Sequence, residues 1–267
     1  MSLPALSSLR SSLTICLTIR LADAKRRFDT ALPVIAQALL PQTCALCGNL
    51  SQHTLCAGCD AAYWNEHRLR CRVCAMPLGG FRRAATSGYR CAECIAQPPP
   101  FDATFALADY RPPLDALALG LKFRARLALA KEFARRLAQL AHDAPDRSPR
   151  LDVVAPVPLA RRRLVERGYN QAWEIARPFA RALRVPADPT LLVRTLDTAP
   201  QSRLDRAARS HNVGAAFAVA KPVRGLHVGI VDDVMTSGAT LDALARTLKA
   251  AGARRVTGFV ALRTPKD

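Results

Sequence analysis

Residues 229–241, reading G-I-V-D-D-V-M-T-S-G-A-T-L, constrain the fold of this chain more than any other stretch. A short apolar run (Val228, Ile230, Val231) ends in two adjacent carboxylates, Asp232 and Asp233. Thr236, Ser237, Gly238, Ala239 and Thr240 then form a turn of small and hydroxyl residues, and Leu241, Leu244, Ala245 and Leu248 follow at helical spacing. Strand, acidic tip, hydroxyl-glycine loop and helix, in that order, predict an α/β unit with its loop at the carboxyl end of a strand. The first N–H groups of such a helix lack partners within it, so the loop can hold a phosphate. The hydroxyls add donors, and Gly238 allows close backbone approach or a positive φ. Asp232 and Asp233 are placed to accept from ribose hydroxyls or to approach Mg2+. A turn at 252–255 leads into the apolar run Val256 to Leu262, a second strand reached by a right-handed crossover.

Two acidic residues followed by T-S-G-A-T resemble the phosphoribosyl-diphosphate (PRPP) motif of type I phosphoribosyltransferases, and every position of that motif is filled. The resemblance implies PRPP as ligand, with Mg2+, its 5-phosphate on Thr236, Ser237, Gly238, Ala239 and Thr240 and its ribose hydroxyls on Asp232 and Asp233. An ordinary strand-loop-helix with a polar turn is the alternative, and the double aspartate in register after the strand weighs against it.

The second constraint lies at the other end of the chain. Eight of nine cysteines form C-x-x-C pairs: Cys44/Cys47, Cys56/Cys59, Cys71/Cys74 and Cys91/Cys94. One such knuckle supplies half of a tetrahedral sulfur site, so four predict two closed, structural zinc centres with no open position for water. Disulfides suit this pattern poorly, because adjacent C-x-x-C pairs make poor structural bridges and other signs point to the cytoplasm. A redox motif would need a βαβ setting, which is absent, and no characteristic iron–sulfur spacing occurs. Sequential pairing of the knuckles is expected over a cross-brace. Cys16 reads as a semi-buried thiol, and His53 and His67 as surface or packing residues.

Between these features the chain is basic. Net charge is +18, and much of the excess falls between residues 120 and 230. Such a bias suits a polyanion, either nucleic acid or a phosphorylated small substrate, and an arginine-rich background composition would also produce it. Strands are expected at 104–110 (an edge) and 152–156, and helices at 114–123, 127–141 and through 171–183. Arg161, Arg162, Arg163 and Arg167 follow the second of these strands, where guanidinium forks would bind a diphosphate or else form a solvated face. A further polar cluster, Gln201 to Asn212, reads as a lid or a basic nucleic-acid face. No run approaches the roughly 18 apolar residues of a membrane-spanning helix, and a cytoplasmic address is expected.

Taken together, the four C-x-x-C pairs, P-P-P-F (98–101), D-Y-x-P-P-L (109–114), L-K-F (121–123), P-V-P-L-x-R-R-R (156–163), R-G-Y-N-Q (167–171), the 201–212 cluster and the 229–241 segment resemble the ComF/GntX family over about residues 41–264. The resemblance implies a double zinc ribbon joined to a type I phosphoribosyltransferase-like parallel sheet flanked by helices. Residues 1–40 would form a helical or disordered extension, 41–100 the ribbons, and 101–267 the phosphoribosyltransferase-like domain. It implies PRPP binding with Mg2+ and a link to DNA uptake and use, with phosphoribosyl transfer as the chemistry and Arg161 to Arg163 near the diphosphate. The alternatives are a non-catalytic single-stranded DNA-binding competence factor with a regulatory or vestigial PRPP site, and a partner-docking module. Tyr63, Trp64, Phe81 and Tyr89 are the stacking surfaces available to DNA in the ribbon region.

Overall fold

The computed structural model describes residues 42–64, 68–81, 89–144, 150–195 and 216–266. The extension at 1–40, His67, the loop at 146–149 and the 201–212 cluster lie outside the described residues. By internal contacts the chain divides into two units, Met1–Cys56 and Ala57–Asp267.

The described part of the first unit is a small ribbon. Strands β1 (Gln42–Thr43) and β2 (Leu50–Ser51) pair antiparallel. The turn between them is closed by the Cys44 N–H on the Asn49 carbonyl at 2.7 Å and the Gly48 N–H on the Cys44 carbonyl at 3.0 Å.

The second unit opens with helix α1 (Ala57–Cys59) and a π turn at Asp60–Trp64. A second ribbon follows, in which β3 (Arg68–Arg70) pairs antiparallel with β4 (Pro77–Phe81), and helix α2 (Ala92–Ala96) comes next. The main sheet contains β5 (Ala103–Asp109), β6 (Val153–Pro156), β9 (His227–Met235) and β10 (Arg255–Arg263) in the order β5-β10-β9-β6, all parallel. Strands β7 (Leu192–Arg194) and β8 (Phe217–Val219) form a separate antiparallel pair. Helices α3 (Asp115–Phe123), α4 (Leu127–His142), α5 (Arg161–Arg167), α6 (Gln171–Leu183) and α7 (Ala239–Ala250) complete the unit.

Both faces of the sheet are covered, as parallel sheets require. On one side Phe133 and Leu137 of α4 and Ile175 and Phe179 of α6 are buried, and Phe259 packs between Phe105 and Phe179 at centroid distances of 5.2 and 4.7 Å. On the other, Leu241, Leu244 and Leu248 of α7 join Ile230, Val256 and Val260 in one cluster that also takes in Val73 and Met76 of the second ribbon. The outer strand β5 is therefore an edge, yet six of its seven residues are buried, and the alternation expected of a half-exposed strand is lost. A Cβ at Gly258 would lie 2.6 Å from a Leu241 methyl, so glycine there lets α7 sit directly on β10.

The R-G-Y-N-Q segment acts as a brace. Asn170 Oδ1 accepts from the Ala172 N–H at 2.9 Å, capping α6, while its Nδ2 donates to the Val157 carbonyl at 3.0 Å. The Tyr169 hydroxyl donates to the Leu121 carbonyl of α3. Arg167 donates to Gln171 Oε1 at 2.7 Å and lies 5.4 Å over the Phe123 ring. These contacts tie the ends of α3, β6 and α6 together at the carboxyl edge of the sheet.

His227, at the start of β9, is buried. Its Nδ1 lies 3.1 Å from the Arg150 carbonyl and its Nε2 2.8 Å from Thr257 Oγ1. A carbonyl only accepts, so Nδ1 carries the proton, Nε2 accepts from the hydroxyl, and the ring is neutral. Burial, with Arg255 nearby, lowers its pKa from 6.5 to about 4. The unfolded chain therefore binds the proton first. The stability that His227 contributes is complete above about pH 6.5 and lost as pH falls toward 4. In denaturant titrations across that window, His227→Gln is expected to show a shallower pH dependence than the unsubstituted protein. Asn170→Ala should lower stability by about 1–2 kcal/mol through the lost cap, with Asn170→Ser recovering part of it.

Candidate functional site

The carboxyl end of β9, the loop after it and the start of α7 enclose a pocket. Its polar lining is Asp232, Thr236, Ser237 and Thr240, and Val157, Ile230, Val234, Leu241 and Val260 supply apolar wall. Gly238 ends the loop at φ +88°, a conformation that favours glycine, and a Cβ there would have to displace the Met235 methyl at 2.7 Å. The Gly238 carbonyl accepts from the Asp242 N–H at 2.9 Å, which starts the helix. The N–H groups of the first turn, from Ala239 on, thus have no acceptor within the helix, and they carry its positive dipole end. Ser237 Oγ accepts weakly from the Ala239 N–H at 3.4 Å, and Thr236 and Ser237 are exposed.

The two aspartates diverge, because consecutive strand residues face opposite sides of a sheet. Asp232 is half-buried and lines the pocket. Asp233 is buried at 2% exposure, with Lys122 Nζ of α3 at 3.0 Å from Oδ2. The Asp233 N–H also donates to Asp232 Oδ1 at 2.9 Å. Burial first, and then the neighbouring Asp233 carboxylate, push the Asp232 carboxyl well above the ordinary range, while Lys122 pulls it down. Lys122, which the sequence places at the end of its helix in the L-K-F motif, acquires a role only here, as the partner of Asp233. Its local signal is a lysine in the last turn of an otherwise apolar helix.

The structure therefore brings Asp232, Thr236, Ser237, Gly238, Ala239 and Thr240 together and directs Asp233 to Lys122. Arg161, Arg162 and Arg163 are exposed on α5 and are not among the residues lining the pocket; Arg162 pairs with Glu166 at 2.7 Å. From the segment before α5, Val157 is the residue that reaches the wall.

The eight paired cysteines form two groups in sequential order: Cys44, Cys47, Cys56 and Cys59, and Cys71, Cys74, Cys91 and Cys94. In each the ligand atoms lie within 4.8 Å of one another. Zinc at about 2.3 Å from four tetrahedral sulfurs requires S···S edges of about 3.8 Å. Cys47 and Cys56 are 3.7 Å apart at sulfur, and Cys74 and Cys91 3.6 Å, so the donor sets fit. Backbone N–H groups already point at sulfur: Cys56 N–H to Cys44 Sγ and Cys91 N–H to Cys71 Sγ, both at 3.3 Å. For Cys44 burial raises the pKa, but the N–H donors outweigh it and bring the thiol to about 6. At Cys71 the hydrogen bond from Cys74 is the main cause of a pKa lowered to about 4. One thiol in each group thus favours thiolate, the form that binds metal, whereas Cys74, through its hydrogen bond to Cys71, and Cys94, through burial, are pushed up.

The aromatic surfaces differ in availability. Trp64 is half-buried, edge-on to Phe133 at 6.1 Å and covered by the Arg136 guanidinium at 4.8 Å. Tyr63 and Tyr89 are exposed, and the Phe81 side chain lies outside the described residues.

Comparison with known proteins places these features together. A double zinc ribbon domain model matches residues 35–95. DNA utilization protein YhgH of Escherichia coli (strain K12) is 34% identical over 230 residues, 84% of this chain and 98% of the relative. Competence protein F of Haemophilus influenzae is 29% identical over 221 residues, 78% of this chain and 91% of its own. Among solved structures, the glutamine PRPP amidotransferase from B. subtilis complexed with ADP and GMP aligns with 49% of this chain and 25% of its own, at 22% identity and a TM-score of 0.35. The YhgH alignment runs from ribbon to sheet across nearly the whole relative, and on that ground the chain belongs to the ComF/GntX family of DNA-utilization and competence proteins.

Proposed function

We propose that this protein binds PRPP with Mg2+ at the carboxyl end of β9 and uses that site in the handling of DNA. The observation that carries the reading is the pairing, in one pocket, of a helix N-terminus whose N-cap is a glycine, behind a hydroxyl loop, with the Asp232 carboxylate. Thr236 to Thr240 would receive the 5-phosphate and Asp232 the ribose hydroxyls. A divalent cation arriving with the diphosphate would favour the charged form of Asp232 that burial and the neighbouring Asp233 disfavour, which suits a ligand carried by Mg2+. Such a site favours chemistry by position and charge, stabilising an oxocarbenium-like ribose as diphosphate leaves. The names of the relatives, a DNA utilization protein and a competence protein, support the DNA context. Eight cysteines without disulfides suit a reducing cytoplasm, and among the described residues no helix is long and apolar enough to cross a membrane.

A second reading is single-stranded DNA binding, favoured by the exposed basic helix α5 with Arg161 and Arg163 on its surface. It requires an affinity that falls steeply with salt.

Isothermal calorimetry is expected to show PRPP binding that depends on Mg2+. Asp232→Asn should weaken it about tenfold, as expected when one hydrogen bond to a charged group is lost. Absence of heat with the unsubstituted protein would sink the PRPP reading. Metal analysis should return two zinc equivalents per chain, and a value clearly below two would refute the paired centres. An oligonucleotide gel shift with no retardation at low salt would remove the second reading.

A further inference from the structure

Arg263 closes β10 and is only 1% exposed. A guanidinium in such a place needs acceptors for its N–H groups. Its Nε donates to the Cys74 carbonyl at 3.0 Å. Its Nη1 is directed at the carbonyls of Met235 at 3.0 Å, Thr264 at 2.8 Å, and Thr236. Cys74 belongs to the second sulfur group, and Met235 and Thr236 begin the loop that forms the pocket. A single rigid, planar group thus joins a metal knuckle to the phosphate loop. Neighbouring contacts reinforce the junction. Arg70 donates to the Ala75 carbonyl at 3.2 Å and pairs with Asp109 at 2.8 Å, beside Arg263 in the sheet register. The Arg72 carbonyl accepts from the Thr104 N–H at 3.4 Å. Cys71, Cys74 and Cys94 share one buried cluster with Met235 and Leu241.

We propose that the second sulfur centre is the support of the phosphate loop, and that Arg263 is the positioning residue through which metal occupancy at Cys71, Cys74, Cys91 and Cys94 sets the loop's geometry. With metal bound, the knuckle is held by two of its own thiolates and the Cys74 carbonyl is fixed. Without it, that carbonyl is free to shift, Arg263 loses an anchor, and the loop amides open. Coupling of this kind is reciprocal, so a ligand in the loop also retards loss of metal. The consequence for PRPP rests on the binding proposed above, whereas the mechanical link does not.

Hydrogen exchange read by mass spectrometry on the zinc-loaded, ligand-free full chain tests the link. Arg263→Met keeps length and removes the donors. It is expected to speed exchange several-fold across residues 235–241 while both zinc equivalents and the exchange of α4 stay unchanged. Cys91→Ser should give the same local acceleration with one zinc fewer. In calorimetry both variants should bind PRPP with Mg2+ about tenfold more weakly, within the usual range of coupling between sites. Unchanged loop exchange in Arg263→Met would overturn the proposal. If Cys91→Ser fails to fold, seen as faster exchange throughout α4, Arg263→Met decides alone. If even the unsubstituted protein ignores PRPP, the phosphoribosyl reading falls and the exchange data still judge the coupling.

Discussion

The parallel pairing of β9 with β10, running from His227 opposite Arg255 to Met235 opposite Arg263, is the constraint on which the rest of the second unit depends. It sets where β9 ends, and hence where its carboxylates and loop emerge. A right-handed crossover through α7 then points the helix N-terminus back at that same edge. The absence of a side chain at Gly258 lets Leu241 settle against β10, so helix, loop and strand form one rigid turn.

Much of this was legible because it rests on periodicity and on local chemistry. Helical spacing in α3, α4, α6 and α7 and apolar runs in β6, β9 and β10 are short-range signals, as is glycine at a position of positive φ. The four C-x-x-C pairs likewise announced their chemistry, and the expected sequential pairing is the one the sulfurs adopt. What was hidden is long-range. The Lys122–Asp233 pair joins residues far apart in the chain, and no spacing rule predicts it. Arg263 lies just beyond the apolar run Val256 to Leu262, and nothing local announces that it is buried among carbonyls contributed by three segments. Of the R-G-Y-N-Q segment only Arg167 reads as part of an anion-binding run, and the tyrosine and asparagine that follow are spent on backbone carbonyls of α3 and of the turn after β6.

The two ribbons illustrate different uses of the same small motif. Each has too few apolar residues to fold on a core of its own, and a closed thiolate centre supplies the missing cohesion. The second also contributes Val73 and Met76 to the principal core, together with the buried Cys71, Cys74 and Cys94. A module usually regarded as a peripheral clip is, in this half of the chain, part of the interior.

The divergence of Asp232 and Asp233 carries a lesson for genetics as much as for chemistry. One carboxylate faces the pocket, and the other is the buried counter-ion of Lys122. An allele that replaces both at once would strip a carboxylate from the pocket and strand a lysine beside the core in the same stroke. Its phenotype would confuse an altered pocket with a missing protein. Although adjacent in sequence and identical in type, the pair are separate loci of function, and only alleles that alter one at a time can tell them apart.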